Sequence, residues 1–200
     1  MRTFENQARN QGFSLIAGTD EAGRGPLAGP VVSAAVLLPP AFCDPRITDS
    51  KKLSPKKREE VYEVIRHHAV SIGIAVLDAE EIDRINILQA SLKSMKMAVD
   101  RLKPQPDYLL VDGKFSIPFC PLPQLPLIKG DAKSISVAAA SVIAKVERDR
   151  IMLHYHGKYP DYGFSRHKGY PTPAHKKAIA AFGPCPIHRR SFKGVKEYVR

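Results

Sequence analysis

Two hundred residues carry 31 lysines and arginines against 20 aspartates and glutamates, a formal net charge of +11. That length suffices for one domain with a two- or three-layer core, and that charge attracts polyanions through a long-range, salt-dependent field. The longest apolar runs, such as 31–40 and 137–143, fall far short of the roughly 20 residues that span a bilayer, and residues 1–14 lack the apolar core of a secretion signal, so a membrane role is set aside.

The first elements expected along the chain are two buried strands, an apolar run at 15–19 and a β-branched run at 31–38. The glycine-dense DEAGRGPLAGP between them is too short for a helix with its loops, which predicts an antiparallel pair. Ser54-Pro55 opens a helix with Val61, Val64, Ile65 and His68 on one side, and 71–77 reads as a third strand. Asp78 ahead of Glu81 caps a short helix; Asn86 caps another, whose Leu88, Leu92, Met95, Val99 and Leu102 form one stripe. A strand over 108–111 ends at Asp112, the proline-rich 118–126 is a loop, and Leu127-Ile128 is a short strand leading to Lys129-Gly130-Asp131. A helix from Ser134 to about His156 begins with the small-residue stretch VAAAS, and Thr172-Pro173 opens a last helix that Gly183 ends. The order predicts an α/β fold, a mixed sheet flanked by helices, as one domain over 1–200 with a helical C-terminal region at about 172–200. Cys43, Cys120 and Cys185 lie far apart and outside CxxC spacing, as befits thiols of a reducing compartment, so a cytoplasmic protein is expected.

The acids fall where chemistry is expected. Asp20-Glu21 ends the first strand, Asp112 ends another, and Asp131 follows a third. Carboxylates at the ends of neighbouring strands can converge, and open α/β sheets place their sites at such ends. Packed without compensation they raise each other's pKa, a conflict that divalent cations remove; magnesium suits oxygen ligands, and two ions about 4 Å apart hold a phosphate and activate water. Each acid taken alone is as readily a turn former or helix cap. GRGPLAG lets a nucleic-acid strand approach main-chain groups but is not a phosphate loop. Lys51-Lys52 reads as a phosphate contact or a solvated charge run, Tyr170 of HKGY as a stacking platform or a loop anchor. Arg189, Arg190 and Lys193 extend the basic surface, with Ser191 as a further phosphate donor. Asp149, 18 residues after Asp131 and about 27 Å away along an unbroken helix, is expected to pair with a neighbouring arginine instead.

Taken together, DEAGRGPLAGPVV, DSKKLS, EIDRINILQAS, VDGK, KGDAKSISVAAASVIAKVERDR, YGFSRHKGYPT and HRRSFKGVK resemble, in content and order, the bacterial ribonuclease HII family, the type 2 ribonucleases H. The resemblance implies a ribonuclease H-like fold, a mixed five-stranded sheet with helices and a helical C-terminal part. It also implies an endonuclease that hydrolyses the RNA strand of RNA/DNA hybrids and cuts 5′ to single ribonucleotides in duplex DNA, leaving 3′-hydroxyl and 5′-phosphate ends with two magnesium or manganese ions. Carried over by motif, Asp20, Glu21, Asp112 and Asp131 are the catalytic, metal-holding carboxylates. Gly23, Arg24 and Gly25 contact the ribonucleotide and its 2′-hydroxyl, Tyr170 packs on the following deoxyribose, and Lys51 with Arg190 and Ser191 holds the backbone. GRG, and the 19 residues before Asp20, resemble type HII rather than type HIII, while Lys114 and Gly194 depart slightly from the family pattern. The chain also ends soon after Lys196, where some relatives carry a tail. A working monomer is expected, and recruitment by a replication clamp is left open. Two rivals make different predictions: a non-catalytic hybrid-binding module binds without cutting, and a small-nucleotide metal phosphatase has no need of Arg24 or Tyr170.

Overall fold

The computed structural model describes residues 1–199, and its architecture follows from local signals already visible in the chain. β1 (Ile16–Ala22) and β2 (Val31–Leu37) pair antiparallel, and β3 (Ser71–Leu77) extends the sheet antiparallel on the far side of β2. β4 (Tyr108–Asp112) and β5 (Gln124–Leu127) add in parallel on the other side of β1, giving a mixed sheet in the order β3-β2-β1-β4-β5. The helices are capped as their sequences predict: Ser54 caps α2 (Pro55–His68), Asp78 caps α3 (Ala79–Ile85) and Asn86 caps α4 (Ile87–Asp100). Ser134 caps α5 (Ile135–Lys158), and Thr172 caps α7 (Pro173–Phe182) beyond the single turn α6 (Phe164–His167).

One element is new and two local expectations are corrected. The polar N-terminus forms a helix, α1 (Thr3–Asn10), fastened by the buried Glu5 carboxylate, which accepts from Ser134 Oγ at 2.6 Å and Ser136 N–H at 3.0 Å at the start of α5. The last strand begins inside the proline-rich loop at Gln124 and stops before Ile128; Pro126 is tolerated because β5 is an edge strand, where a missing N–H leaves no partner unpaired. On α2, Tyr62 joins Val61 and Ile65 in the core, while His68 is exposed.

The small-residue stretch of α5 lets this helix lie directly on the sheet. Residues 135–144 are all buried, and a Cβ added at Gly18 of β1 would stand 2.2 Å from the Ser136 carbonyl carbon. Gly18→Ala therefore forces helix from sheet, and a urea titration is expected to show a loss of about 2 kcal/mol, in the range that overpacking costs. On the opposite face Gly73 gives α4 the same close approach, with Ala98 O 1.9 Å from the built Cβ. Beyond α7, residues 184–195 follow an irregular path and Lys196–Tyr198 form a single 3-10 turn. Among the described residues no helix is long and apolar enough to cross a membrane.

Candidate active site

Strand register brings the acids together. Thr19 pairs with Val111 in the parallel β1–β4 ladder, so Asp20 and Asp112 lie side by side at the same end of the sheet. Asp20, two residues after Gly18, shares the face that α5 covers, and Ser141 of that helix lines the same cleft, hydrogen-bonded to Ser50 Oγ at 2.9 Å. The chain does not leave the sheet at Asp20-Glu21 as expected: β1 runs to Ala22, still paired with β2. Asp131 arrives in a 3-10 turn after β5, entered through the left-handed Lys129 (φ 58°), and the preceding Gly130 N–H donates to Asp112 Oδ1 at 2.7 Å. That bond fixes the last acid beside the third.

Asp20, Glu21 and Asp112 face a cleft of about 240 Å³ that Arg24, Ser141 and Tyr170 also line, whereas Asp131 is not among its lining residues and reaches it through its ion pair with Lys51. Asp20 is 3% exposed and Asp131 5%. Burial, then the charges of Glu21 and Asp112, push the Asp20 carboxyl well above its usual value, against the Glu21 N–H hydrogen bond. Burial also lifts Glu21 to about 7, with Asp112 adding to the rise and Arg24 opposing it from 3.3 Å. Asp112 is raised by burial as well, against the Gly130 hydrogen bond. Among the described residues, no three Asp, Glu, His or Cys side chains already close around a point that could hold an ion. Among the described residues, Asp131 is ion-paired with the Lys51 ammonium at 3.1 Å. A buried, oxygen-only set that carries excess negative charge is nevertheless the donor chemistry that magnesium or manganese requires.

The cleft wall is made by loops on which the sequence reading placed substrate contacts. Gly23, Arg24 and Gly25 line it, as do Lys51 and Tyr170. The left-handed Gly169 (φ 86°) lets the HKGY turn pack against Ala28, where a Cβ would meet the Ala28 carbonyl oxygen, and Leu27 N–H donates to Gly169 O at 2.8 Å. Tyr170 is held from behind through its carbonyl. Cys185 N–H donates to His188 Nδ1 at 2.9 Å, which leaves His188 Nε2–H to donate to His175 Nε2 at 3.1 Å and His175 Nδ1–H to donate to the Tyr170 carbonyl at 3.0 Å. Lys51 is anchored through the Asp49 cap, and its side chain stays 75% exposed beside Asp131.

Arg190 and Ser191 are not among the cleft's lining residues, and both backbone N–H groups and the Ser191 hydroxyl donate to Asp83 at 2.7, 3.0 and 2.5 Å. The Ser191 hydroxyl expected to meet phosphate is thus occupied by a carboxylate of the EIDRIN segment, to which Arg190 contributes its backbone N–H and not its guanidinium. Arg189 is corrected more sharply: it is wholly buried rather than part of the basic surface, because its guanidinium is taken up by backbone carbonyls. Asp149 is indeed an ion-pair residue, although Lys145 is its close partner at 2.7 Å and Arg58 stands at 3.7 Å. Lys145 itself lines the cleft and lies 5.8 Å from the Tyr170 ring centroid. The sequence reading missed it, although its position one turn after Ser141 on α5 was the available signal.

Comparison with known proteins agrees with this architecture. The family profile for Ribonuclease HII matches residues 17–195. The curated Ribonuclease HII of Syntrophotalea carbinolica is 55% identical over 196 residues, covering 98% of this chain and 93% of that one. Among solved structures, the ribonuclease H2 of Pyrococcus horikoshii OT3 superposes with a TM-score of 0.78 at 28% identity, covering 92% of this chain and 97% of that one. The ribonuclease HII of Archaeoglobus fulgidus, solved as a complex with PCNA, gives 0.72 at 30% identity, covering 90% and 96%.

Proposed function

The chain belongs to the ribonuclease HII family and is an endonuclease of the type 2 ribonuclease H class, and from that premise we propose that it cuts 5′ to single ribonucleotides embedded in duplex DNA as well as within the RNA strand of hybrids. The observation that carries the reading is the meeting, in one cleft, of the Asp20, Glu21 and Asp112 carboxylates with the GRG loop. We read residues 1–200 as one catalytic domain, acting as a monomer in the cytoplasm.

Asp20, Glu21, Asp112 and Asp131 would hold two divalent ions, magnesium or manganese. Bound there, such ions supply positive charge to the scissile phosphate, lower the pKa of the attacking water and stabilise the leaving 3′-oxygen. Asp20, with Glu21 and Asp112 on either side, would hold an ion together with either of them. The Gly130 hydrogen bond orients Asp112, the Glu21 N–H orients Asp20, and Lys51 exchanges Asp131 for the substrate backbone. Arg24 and the Gly23–Gly25 main chain meet the ribonucleotide, and Tyr170 packs against the next sugar, where a 2′-hydroxyl would be crowded. Lys145, beside the Tyr170 ring, adds positive charge along the same backbone path.

A labelled DNA duplex with one internal ribonucleotide, incubated beside an all-DNA duplex with magnesium or with chelator, tests this reading. The expected product is a single magnesium-dependent cut 5′ to the ribonucleotide, bearing 3′-hydroxyl and 5′-phosphate ends and absent from the control. No cut with either magnesium or manganese would leave a hybrid-binding protein in its place.

A further inference from the structure

Arg148 and Arg189 are both 0% exposed, and no carboxylate forms an ion pair with either among the described residues. Their guanidiniums are spent on main-chain carbonyls of the loops that wall the cleft. Arg189 donates to Gly29 O at 3.1 Å, to Arg24 O at 2.9 Å and to Gly23 O. Arg148 donates to Pro30 O at 3.0 Å, Ala28 O at 3.1 Å and Lys168 O at 3.0 Å, the last at the turn that carries Tyr170. Desolvation lowers both, Arg148 to about 10 and Arg189 to about 9, so each remains a cation at neutral pH. Buried charge without a counter-ion is expensive, and apolar side chains would fill the same space at lower cost. Filling space therefore does not explain these residues.

Peptide geometry supplies the explanation. In a trans peptide the C=O of one residue and the N–H of the next point in opposite directions. Turning the Gly23 and Arg24 carbonyls inward to Arg189 turns the N–H groups of Arg24 and Gly25 outward, and both residues line the cleft. Neither N–H enters a backbone hydrogen bond, whereas Leu27 and Gly29 in the same loop do. Gly23 (φ 103°) allows the packing: a Cβ there would lie 2.2 Å from Arg148 Nε.

We propose that Arg189, backed by Arg148, is a positioning residue for sugar selection, holding the Arg24 and Gly25 N–H groups toward the cleft as preset donors for a ribose 2′-hydroxyl. Arg189 touches no substrate; it acts through the direction of two peptide planes. The proposal rests on the reading of GRG given above, and the experiment separates the two. In an Asp20→Asn background, which prevents cutting, affinity is measured for a duplex with one internal ribonucleotide and for its all-DNA counterpart. The parent prefers the ribonucleotide. Arg189→Lys keeps the buried charge but not the planar fork, and it is expected to shrink that preference about tenfold while all-DNA affinity stays within about twofold, the effect of losing about one hydrogen bond. An unchanged preference in folded Arg189→Lys overturns the positioning role; a parent with no preference overturns the GRG reading itself. Amide exchange on the Asp20→Asn protein supplies a test that needs no Arg189 variant. The Arg24 and Gly25 amides should exchange freely alone and become protected by the ribonucleotide duplex but not by all-DNA duplex, and equal protection by both overturns the proposal.

Discussion

Asp20→Asn is expected to abolish cleavage, lowering the magnesium-dependent rate by at least about 10³-fold, a factor corresponding to about 4 kcal/mol of transition-state stabilisation. Asp20 is the most enclosed of the acids, with Glu21 and Asp112 on either side, so removing its charge affects whatever cation the cluster holds more than loss of any peripheral ligand would. Asparagine keeps the side-chain size and one oxygen, and can still accept from Glu21 N–H, which Asp20 does at 2.7 Å. The fold and the basic face should survive, and hybrid affinity by gel shift should stay within a few-fold of the parent. A variant that cuts at near-normal rate with magnesium would remove Asp20 from the mechanism and undo the four-acid assignment.

The meeting of Asp20, Glu21 and Asp112 was legible before the fold because turn chemistry and apolar runs place strand ends, and parallel strands align their ends. The pairing Thr19 with Val111 turns that linear pattern into a site. Caps were legible for the same reason: Ser54, Asp78, Asn86, Ser134 and Thr172 each act locally on an N–H two or three residues ahead. What stayed hidden depends on partners distant in sequence. Glu5 stabilises α1 by reaching the start of α5, more than 120 residues away, and nothing in TFENQARN announces it. Pro126 in β5 is acceptable only because the strand is an edge. Arg148 and Arg189 look like surface charge by type, since burial of arginine without a carboxylate is rare and its carbonyl acceptors lie on loops elsewhere in the chain. Ser191 reads as a free phosphate donor until Asp83 is found holding it.

The same carboxylates should destabilise the metal-free protein, and the direction with pH is fixed. Glu21 at about 7 lies above the ordinary 4.5, so its favourable contribution is full below pH 4.5 and is lost as pH rises through 7; Asp20 and Asp112 are displaced the same way. His175 and His188 run oppositely: burial lowers both to about 4 from 6.5, so stability present above pH 6.5 is lost as pH falls toward 4. Chelated protein is therefore expected to weaken on both sides, through the histidines in acid and through the carboxylates toward pH 8. Magnesium answers only the second loss. At pH 8 and about a hundredfold above its dissociation constant it should restore about 3 kcal/mol, a rise of some 6–12 °C in Tm for a chain of this size, and it should do little at pH 5. Asp20→Asn should raise the chelated protein's Tm at pH 8 and erase most of the magnesium response. Thermal melts at pH 5 and 8, with chelator and with magnesium, read all of this at once. A magnesium response that is equal at the two pH values, or that survives Asp20→Asn, would mean that the ion binds somewhere other than among these carboxylates.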